Sequence, residues 1–389
     1  MFRYLIATVA LCAGTSAFAV TVPVPSPPPV KAASYVLMSY RTGTILAQKD
    51  PAEHRAPAST TKLMTAYLVF QELAAGRLDL DTTFTVSKKA WQQPGSRMFI
   101  EPGKEISVGN LLQGMLVPSG NDAAMALAEG VAGTEAGFVS MMNAVAKQLG
   151  MSNTHYVDPA GLSPKNHVSA LDLAVLARAL IHEFPQYYHY FAQKEFTWND
   201  IHQYNWNKLL WLDPDADGLK TGFTPKAGYC LVASAKRGDE RMIAVVMGVP
   251  AIADASESTR ANLANYRHLA KVSESLLEYG FRFFRTEKLY DAGKQLAKLR
   301  VWKGGEKYVG AGLAEPLYVT VARGHFDDLD IKTHTKTPVP SPVTQGEALG
   351  TVTVSWQDKV LATAPLVALK SVPEGGVWAT IRDTVLGWF

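Results

Sequence analysis

Cysteine is almost missing from the chain: 389 residues hold only Cys12 and Cys230. Cys12 falls in an apolar N-terminal stretch, so the rest of the chain has Cys230 alone. No internal disulfide can staple it, and the hydrophobic core must suffice. The nine histidines include no His-Glu-x-x-His pair, which removes the common zinc-peptidase arrangement. No metal and no other cofactor is expected. Charge of one sign is scarce as well. Lys and Arg total 38 against 35 Asp and Glu, a net +3 without a basic run, too little to attract nucleic acid. Beyond the first 19 residues no apolar run is long enough to cross a bilayer. No internal repeat is present.

What is there is a globular composition, 47% hydrophobic and 19% charged. The chain is too long for one ordinary core, so two domains are expected. Residues 1–19 read as a secretory leader: Arg3, an apolar stretch from Tyr4 to Gly14, then the small-residue ending Ala17-Phe18-Ala19. Leu11 before Cys12 makes a poor lipoprotein signal. Residues 20–31 are rich in proline and read as an extended tether.

Ser34–Tyr40 and Thr44–Ala47 read as a hairpin turned at Arg41-Thr42-Gly43. Helical periodicity begins at Val108 and returns over Ala123–Val131, Glu135–Leu149 and Ser169–Phe184, with Ser169 as a cap. Strand chemistry comes back at Glu195–Trp198, Gly228–Ala235 and Arg241–Gly248, and Asn262–Phe284 reads as a long amphipathic helix. Strands near both ends with helices between them predict an α+β unit over 32–286, an antiparallel sheet flanked by helices. After Arg285, short alternating strands between Gly, Pro and Asp turns predict a small all-β domain over 290–370. Residues 373–389 place Val377, Trp378, Ile381, Val385, Trp388 and Phe389 on one face of an amphipathic helix. That face suits a membrane surface.

Three short motifs carry chemistry. Ala56–Phe70 sets Ser59 and Lys62 three residues apart at the start of an apolar helix, which places both on one side. Ser59 would sit near the positive end of the helix dipole. Lys62, poorly hydrated beside such a helix, would have an accessible neutral amine, making a nucleophile with its base. Pro118-Ser119-Gly120-Asn121-Asp122 lies between two helical stretches as a turn presenting a hydroxyl and an amide. Lys220-Thr221-Gly222 precedes a strand, and Gly222 would let a ligand lie against the strand edge.

In this order the motifs resemble those of the serine penicillin-recognising enzymes, and Ser119-Gly120-Asn121 is similar to the low-molecular-mass D-alanyl-D-alanine carboxypeptidases. The resemblance extends through Asp217–Gly222, Lys226–Tyr229, Tyr279–Phe284, the β domain and the amphipathic tail, covering about residues 33–389. It implies that Ser59 attacks the carbonyl between two D-alanines ending a peptidoglycan stem pentapeptide, with Lys62 as general base. Ser119 would relay a proton to the leaving D-alanine, and Asn121 would orient Lys62 and the substrate amide. Lys220 and Thr221, with Gly222 beside them, would hold the terminal carboxylate. Lys220 would also help keep Lys62 neutral by like-charge repulsion. The backbone N–H groups of Ser59 and Phe223 would form the oxyanion hole. The resemblance further implies inhibition by β-lactams, a role in cell-wall maturation and cell shape, and a place at the periplasmic face of the cytoplasmic membrane.

The loop Asp158–His167 has no Glu where related β-lactamases carry their deacylating one. The Asp158 carboxylate is available there, though a turn residue before proline is its ordinary role. Penicillin is therefore expected to acylate Ser59 and stay. The stretch 249–266 is longer than usual, which leaves a carboxylate-binding arginine unassigned between Arg260 and Arg267. A D,D-endopeptidase or a weak β-lactamase using the same residues remains a rival, as does a non-catalytic module that binds cell-wall peptides.

Overall fold

The structure, a computed structural model, describes residues 24–254 and 258–378 together with Ile381 and Asp383. The leader, the start of the tether and most of the C-terminal helix lie outside the described residues. In chain order come β1 (Ser34–Ser39), β2 (Ile45–Lys49), a 3-10 turn (Ala58–Thr61) and α1 (Lys62–Ala74). Next are β3 (Thr83–Thr85), α2 (Lys88–Trp91), β4 (Glu105–Ser107), α3 (Val108–Leu116), α4 (Asn121–Ala132), α5 (Glu135–Gln148) and α6 (Ala170–Glu183). The hairpin β5 (Glu195–Trp198) and β6 (Ile201–Tyr204) leads through α7 (Leu209–Leu212) to β7 (Ala216–Thr224), β8 (Gly228–Arg237), β9 (Glu240–Val249) and α8 (Thr259–Phe283). Ser and Thr side chains open α2, α3, α5, α6 and α8, each accepting a backbone N–H of the first turn.

The main sheet runs β2-β1-β9-β8-β7, and every pairing in it is antiparallel. β1 therefore pairs with β9 from the far end of the unit, Ser34 opposite Met247, and the expected α+β layout holds. β8 and β9 are mostly apolar and buried over Tyr229–Ala235 and Met242–Met247 because both faces are covered there. Cys230, Val232, Ile243 and Val245 face a core shared with α1 and α3–α6. Leu231, Ala233, Ala244 and Val246 face a second core under α8. β7 is an edge strand, so one row of its backbone groups is free of the sheet.

Pro25 of the tether accepts a hydrogen bond from the Tyr279 hydroxyl at 2.9 Å, and Val24 and Val30 pack on the core under α8. The described part of the tether is therefore docked along the helix. α8 begins at Thr259, three residues before the periodicity suggests, because Ser258 caps it.

β10 (Phe284–Tyr290) leaves α8 without a loop and pairs with β13 (Leu317–Ala322). With β11 (Gln295–Trp302), β12 (Tyr308–Gly312), β14 (Asp330–Thr335), β15 (Val339–Pro340), β16 (Ala348–Trp356) and β17 (Lys359–Ala368), it makes an all-β unit. That unit has its own core of Val301, Val309, Val319, Leu349, Val352 and Leu366. Hydroxyls join it to the first unit. Thr320 Oγ1 lies 2.6 Å from Thr42 Oγ1 and 3.0 Å from Ser39 Oγ. Of the expected helix over 373–389, Val377 and Trp378 are described and exposed. Asp383 is buried and accepts from Arg300 and from the Lys303 backbone N–H, both at 2.6 Å.

Candidate active site

Ser59 lies in the 3-10 turn before α1 and Lys62 is the first residue of α1, whereas the sequence reading puts both on one α-helix. Three residues per turn make positions i and i+3 eclipse, so the tighter geometry aligns the two side chains more closely. Lys62 Nζ stands 2.9 Å from Ser59 Oγ. Ala58, just before the serine, has a φ of 48°, a left-handed conformation that strains a residue with a Cβ. The turn is pinned from outside. A Cβ on Gly161 would fall 1.8 Å from Ala58 O, and a Cβ on Gly222 would fall 3.0 Å from Ser59 N. Gly222 is thus needed so that β7 can lie against the Ser59 turn, a different reason from the ligand access expected of it.

Lys62 is fully buried. Nζ donates to Asn121 Oδ1 at 2.6 Å and to Ala160 O at 3.1 Å. Burial lowers its pKa to about 7, against a smaller opposing pull from the Asp158 and Asp122 carboxylates. The asparagine is aimed from its other end, where Nδ2 donates to Pro94 O at 2.6 Å. Ser119 is buried with a φ of 68° at the turn into α4, a second strained non-glycine residue at the site. Asp122 accepts the backbone N–H groups of Met98 and Phe99 at 2.9 Å each. It thereby holds residues 94–100 across the Ser119 turn.

Lys220, Thr221 and Gly222 lie inside β7 rather than before a strand, because the ladder with β8 runs unbroken from Gly218 to Thr224. Lys220 and Thr221 are buried, and Lys220 Nζ donates to Thr221 O at 3.2 Å. Burial pushes the Lys220 pKa well below its ordinary value, and the nearby Lys62 pushes it further. For Lys62 itself, burial is the leading cause. Repulsion acts on both partners, so two buried ammonium groups facing each other cannot both keep their protons easily. Phe223 follows on β7 with its ring stacked on Tyr229 at 4.2 Å.

The sequence reading missed what supports the lysine. The Asp158 carboxylate is turned into its own loop. Its carboxylate accepts from the N–H groups of Ala160, Gly161, Leu162 and Ser163 and from Asn166 Nδ2, at 2.6–3.1 Å. Its work is to shape the loop that presents Ala160 O to Lys62, the turn role expected of an aspartate before proline. Main-chain acceptors such as Ala160 O and Pro94 O leave no mark on residue type. Arg260 is exposed on the first turn of α8, and Arg267 stands farther along it beside Lys208. Among the described residues no group of His, Cys, Asp and Glu is arranged to hold a metal.

Residues 21–251 match the family model described as D-alanyl-D-alanine carboxypeptidase, and residues 284–374 match that of the penicillin-binding protein 5 C-terminal domain. The chain is 39% identical over 368 residues to D-alanyl-D-alanine carboxypeptidase DacC of Escherichia coli, covering 92% of this chain and 88% of that protein. It is 34% identical to DacF of Bacillus subtilis over 92% of this chain and 90% of that one. Among solved structures, penicillin-binding protein 5 from Haemophilus influenzae superposes with a TM-score of 0.82 at 35% identity, covering 90% of this chain and 100% of that one. The site geometry and likeness along nearly the whole chain agree: the chain belongs to the D-alanyl-D-alanine carboxypeptidase family.

Proposed function

We propose that the chain is a serine-type D-Ala-D-Ala carboxypeptidase that removes the terminal D-alanine from peptidoglycan stem pentapeptides through an acyl-enzyme on Ser59. The observation that carries this reading is the setting of Lys62. A neutral amine has two hydrogens and one lone pair. Asn121 Oδ1 and Ala160 O take the two hydrogens, so the lone pair is left for the Ser59 hydroxyl 2.9 Å away. A pKa of about 7 makes that neutral form plentiful at ordinary pH.

Ser59 attacks as Lys62 accepts its proton. The oxyanion is met by the backbone N–H groups of Ser59 and Phe223. The substrate strand lies along the free edge of β7, and its carboxylate sits by Lys220 and Thr221. An arriving carboxylate favours the charged form of Lys220, and the charge of Lys220 in turn favours a neutral Lys62. Ser119 passes a proton to the departing amine, and water then hydrolyses the ester. β-Lactams acylate the same serine. With Asp158 committed to its loop, no carboxylate of that loop is free to hasten deacylation. The chain acts as an exported enzyme on the periplasmic face of the cytoplasmic membrane, over domains 32–286 and 290–370. Residues 373–389 are its amphipathic contact with the membrane surface, led by exposed Val377 and Trp378.

Mass spectrometry after penicillin treatment, run beside an assay of D-alanine release from a pentapeptide, tests the reading. A stable adduct on Ser59 and release of D-alanine are expected. No adduct on Ser59 would sink it.

A further inference from the structure

A regular strand turns every second residue to the same face. On β7 that rule would put Ala216, Gly218, Lys220 and Gly222 together. The ladder breaks it. Ala216 stands opposite Ala235 of β8 and Gly218 opposite Ser234, so Asp217 is one residue more than β8 supplies there, a β-bulge. Side chains directly opposite each other share a face. Ala216 and Ala235 meet the core under α8, whereas Lys220 lies opposite Val232 and Gly222 opposite Cys230, on the face toward α1. Closing the bulge would slide Lys220 opposite Leu231, onto the face under α8 and away from Lys62. One unpaired residue therefore decides which way the lysine of the site points.

Asp217 is gripped from two elements. Arg241 of β9 donates through Nη1 to Asp217 Oδ1 at 2.8 Å, and its Nη2 lies 2.6 Å from Oδ2, the two-pronged pairing that suits a guanidinium. The same Nη1 donates to Ser234 Oγ at 2.6 Å, so one side chain ties β9 to both strands at the bulge. Tyr188, in a 3-10 turn after α6 (Tyr188–Ala192), donates its hydroxyl to Asp217 Oδ1 at 3.1 Å. The Arg241 guanidinium lies 5.2 Å from the centre of that tyrosine ring. The next residue is held as well. Gly218 O accepts from the buried Asn207 Nδ2 at 3.1 Å, and a Cβ on Gly218 would fall 2.7 Å from the Tyr188 hydroxyl.

We propose that Asp217 and Arg241, with the Tyr188 hydroxyl, are positioning residues for Lys220: they lock the bulge that sets the facing of β7. The inference rests on the carboxypeptidase reading, in which Lys220 holds the terminal carboxylate of the substrate. A partly buried ion pair adds little stability over apolar side chains of the same volume, and fixing a register is the better-attested use of one. Asp217 stands three residues behind Lys220, roughly 10 Å along the strand, so its influence passes through the strand. An asparagine at 217 keeps the shape but gives up the charge that fixes Arg241. The bulged and regular ladders then come closer in energy, and fewer molecules hold Lys220 toward the site.

A double-mutant cycle on the full chain tests this. Wild type, Asp217→Asn, Lys220→Ala and the double variant are assayed for D-alanine release from pentapeptide, with thermal unfolding alongside. Asp217→Asn should lower kcat/KM about tenfold or more, mainly through KM, because the carboxylate clamp is misplaced. In the Lys220→Ala background the same change should cost less than about twofold. Sites this far apart ordinarily add, so that coupling is the mark of action through Lys220. Tyr188→Phe keeps the ion pair, and should show a smaller loss that also vanishes without Lys220; it decides the matter if Asp217→Asn does not fold. Wild-type kcat/KM in Asp217→Asn, or losses that add in full to that of Lys220→Ala, would overturn the inference alone. Failure of wild type to release D-alanine, or a Lys220→Ala variant as active as wild type, would remove the carboxypeptidase reading and this one together.

Discussion

Before Phe284 the fold buries Lys62, Lys220, Asp122, Asp158, Asp172 and Asp213, whereas beyond it the buried polar side chains of described residues are Thr320, His325 and Asp383. The second unit instead has a core of aliphatic side chains, Val301, Val319, Val352 and Leu366 among them. Burying an ion is costly unless hydrogen bonds and partners replace its water. The first unit accepts that cost around one point. Asp158 and Asp122 are each met by several N–H groups, and Lys62 is left with a lowered pKa instead of a partner of opposite charge. Unrelieved burial in one unit and an ordinary apolar core in the other mark where chemistry is expected and where it is not.

Lys62→Arg should widen that contrast most. Arginine keeps its proton, so the buried position would gain a fixed charge and lose its base. Acylation by penicillin should fall by about 10³-fold, within the usual worth of a general base. In the proposed mechanism, protonation of Lys62 below its pKa of about 7 removes the base. The acylation rate should therefore fall about tenfold per pH unit below that point and level off above it. The variant's residual rate should lose that inflection. A wild-type rate flat from pH 5 to 8 would mean another group takes the proton.

Asp158→Asn comes next and separates two roles for one carboxylate. If Asp158 only shapes its loop, exchanging an oxygen for an NH2 that faces backbone N–H groups should destabilise the first unit by about 2–4 kcal/mol. Acylation should slow by roughly 10-fold to 100-fold as Ala160 O drifts from Lys62. If instead it activated the deacylating water, acylation would keep its rate and the acyl-enzyme would persist longer. Thermal unfolding and stopped-flow acylation, measured together, choose between them.

How far these residues are legible in the sequence follows from what kind of atom does the work. In the proposed mechanism Ser59, Lys62, Ser119, Asn121 and Lys220 act through side chains, and their residue types and order point to a site. The long apolar runs of β8 and β9 announce a covered sheet, and Ser169 announces α6. The acceptors that orient Lys62 and Asn121, Ala160 O and Pro94 O, are main-chain atoms that any residue carries. The 3-10 turn at Ser59 depends on glycines at positions 161 and 222, distant in sequence, that let other segments press on it. β7 reads poorly because its middle is Lys-Thr-Gly, chosen for the site at the expense of strand propensity.

The smallest effect on chemistry is expected from Val352→Ala, which tests the other side of the contrast. Val352 is fully buried on β16 in the core of the second unit. Losing two carbons there should cost about 2 kcal/mol, from transfer and the cavity left behind. That cost should appear as a lower unfolding midpoint for the β unit. The hydroxyl contacts of Thr320 with Thr42 and Ser39, and the Glu240 carboxylate that accepts the Thr286 backbone N–H beside them, lie at the far end of β1 from the catalytic turn. Penicillin acylation at 25 °C should therefore stay within about twofold of wild type, since the loss falls far short of unfolding a domain of ordinary stability. If acylation fell in step with the β unit's midpoint, the two units would share one cooperative core, and the second would have to be counted as part of what holds Ser59 against β7.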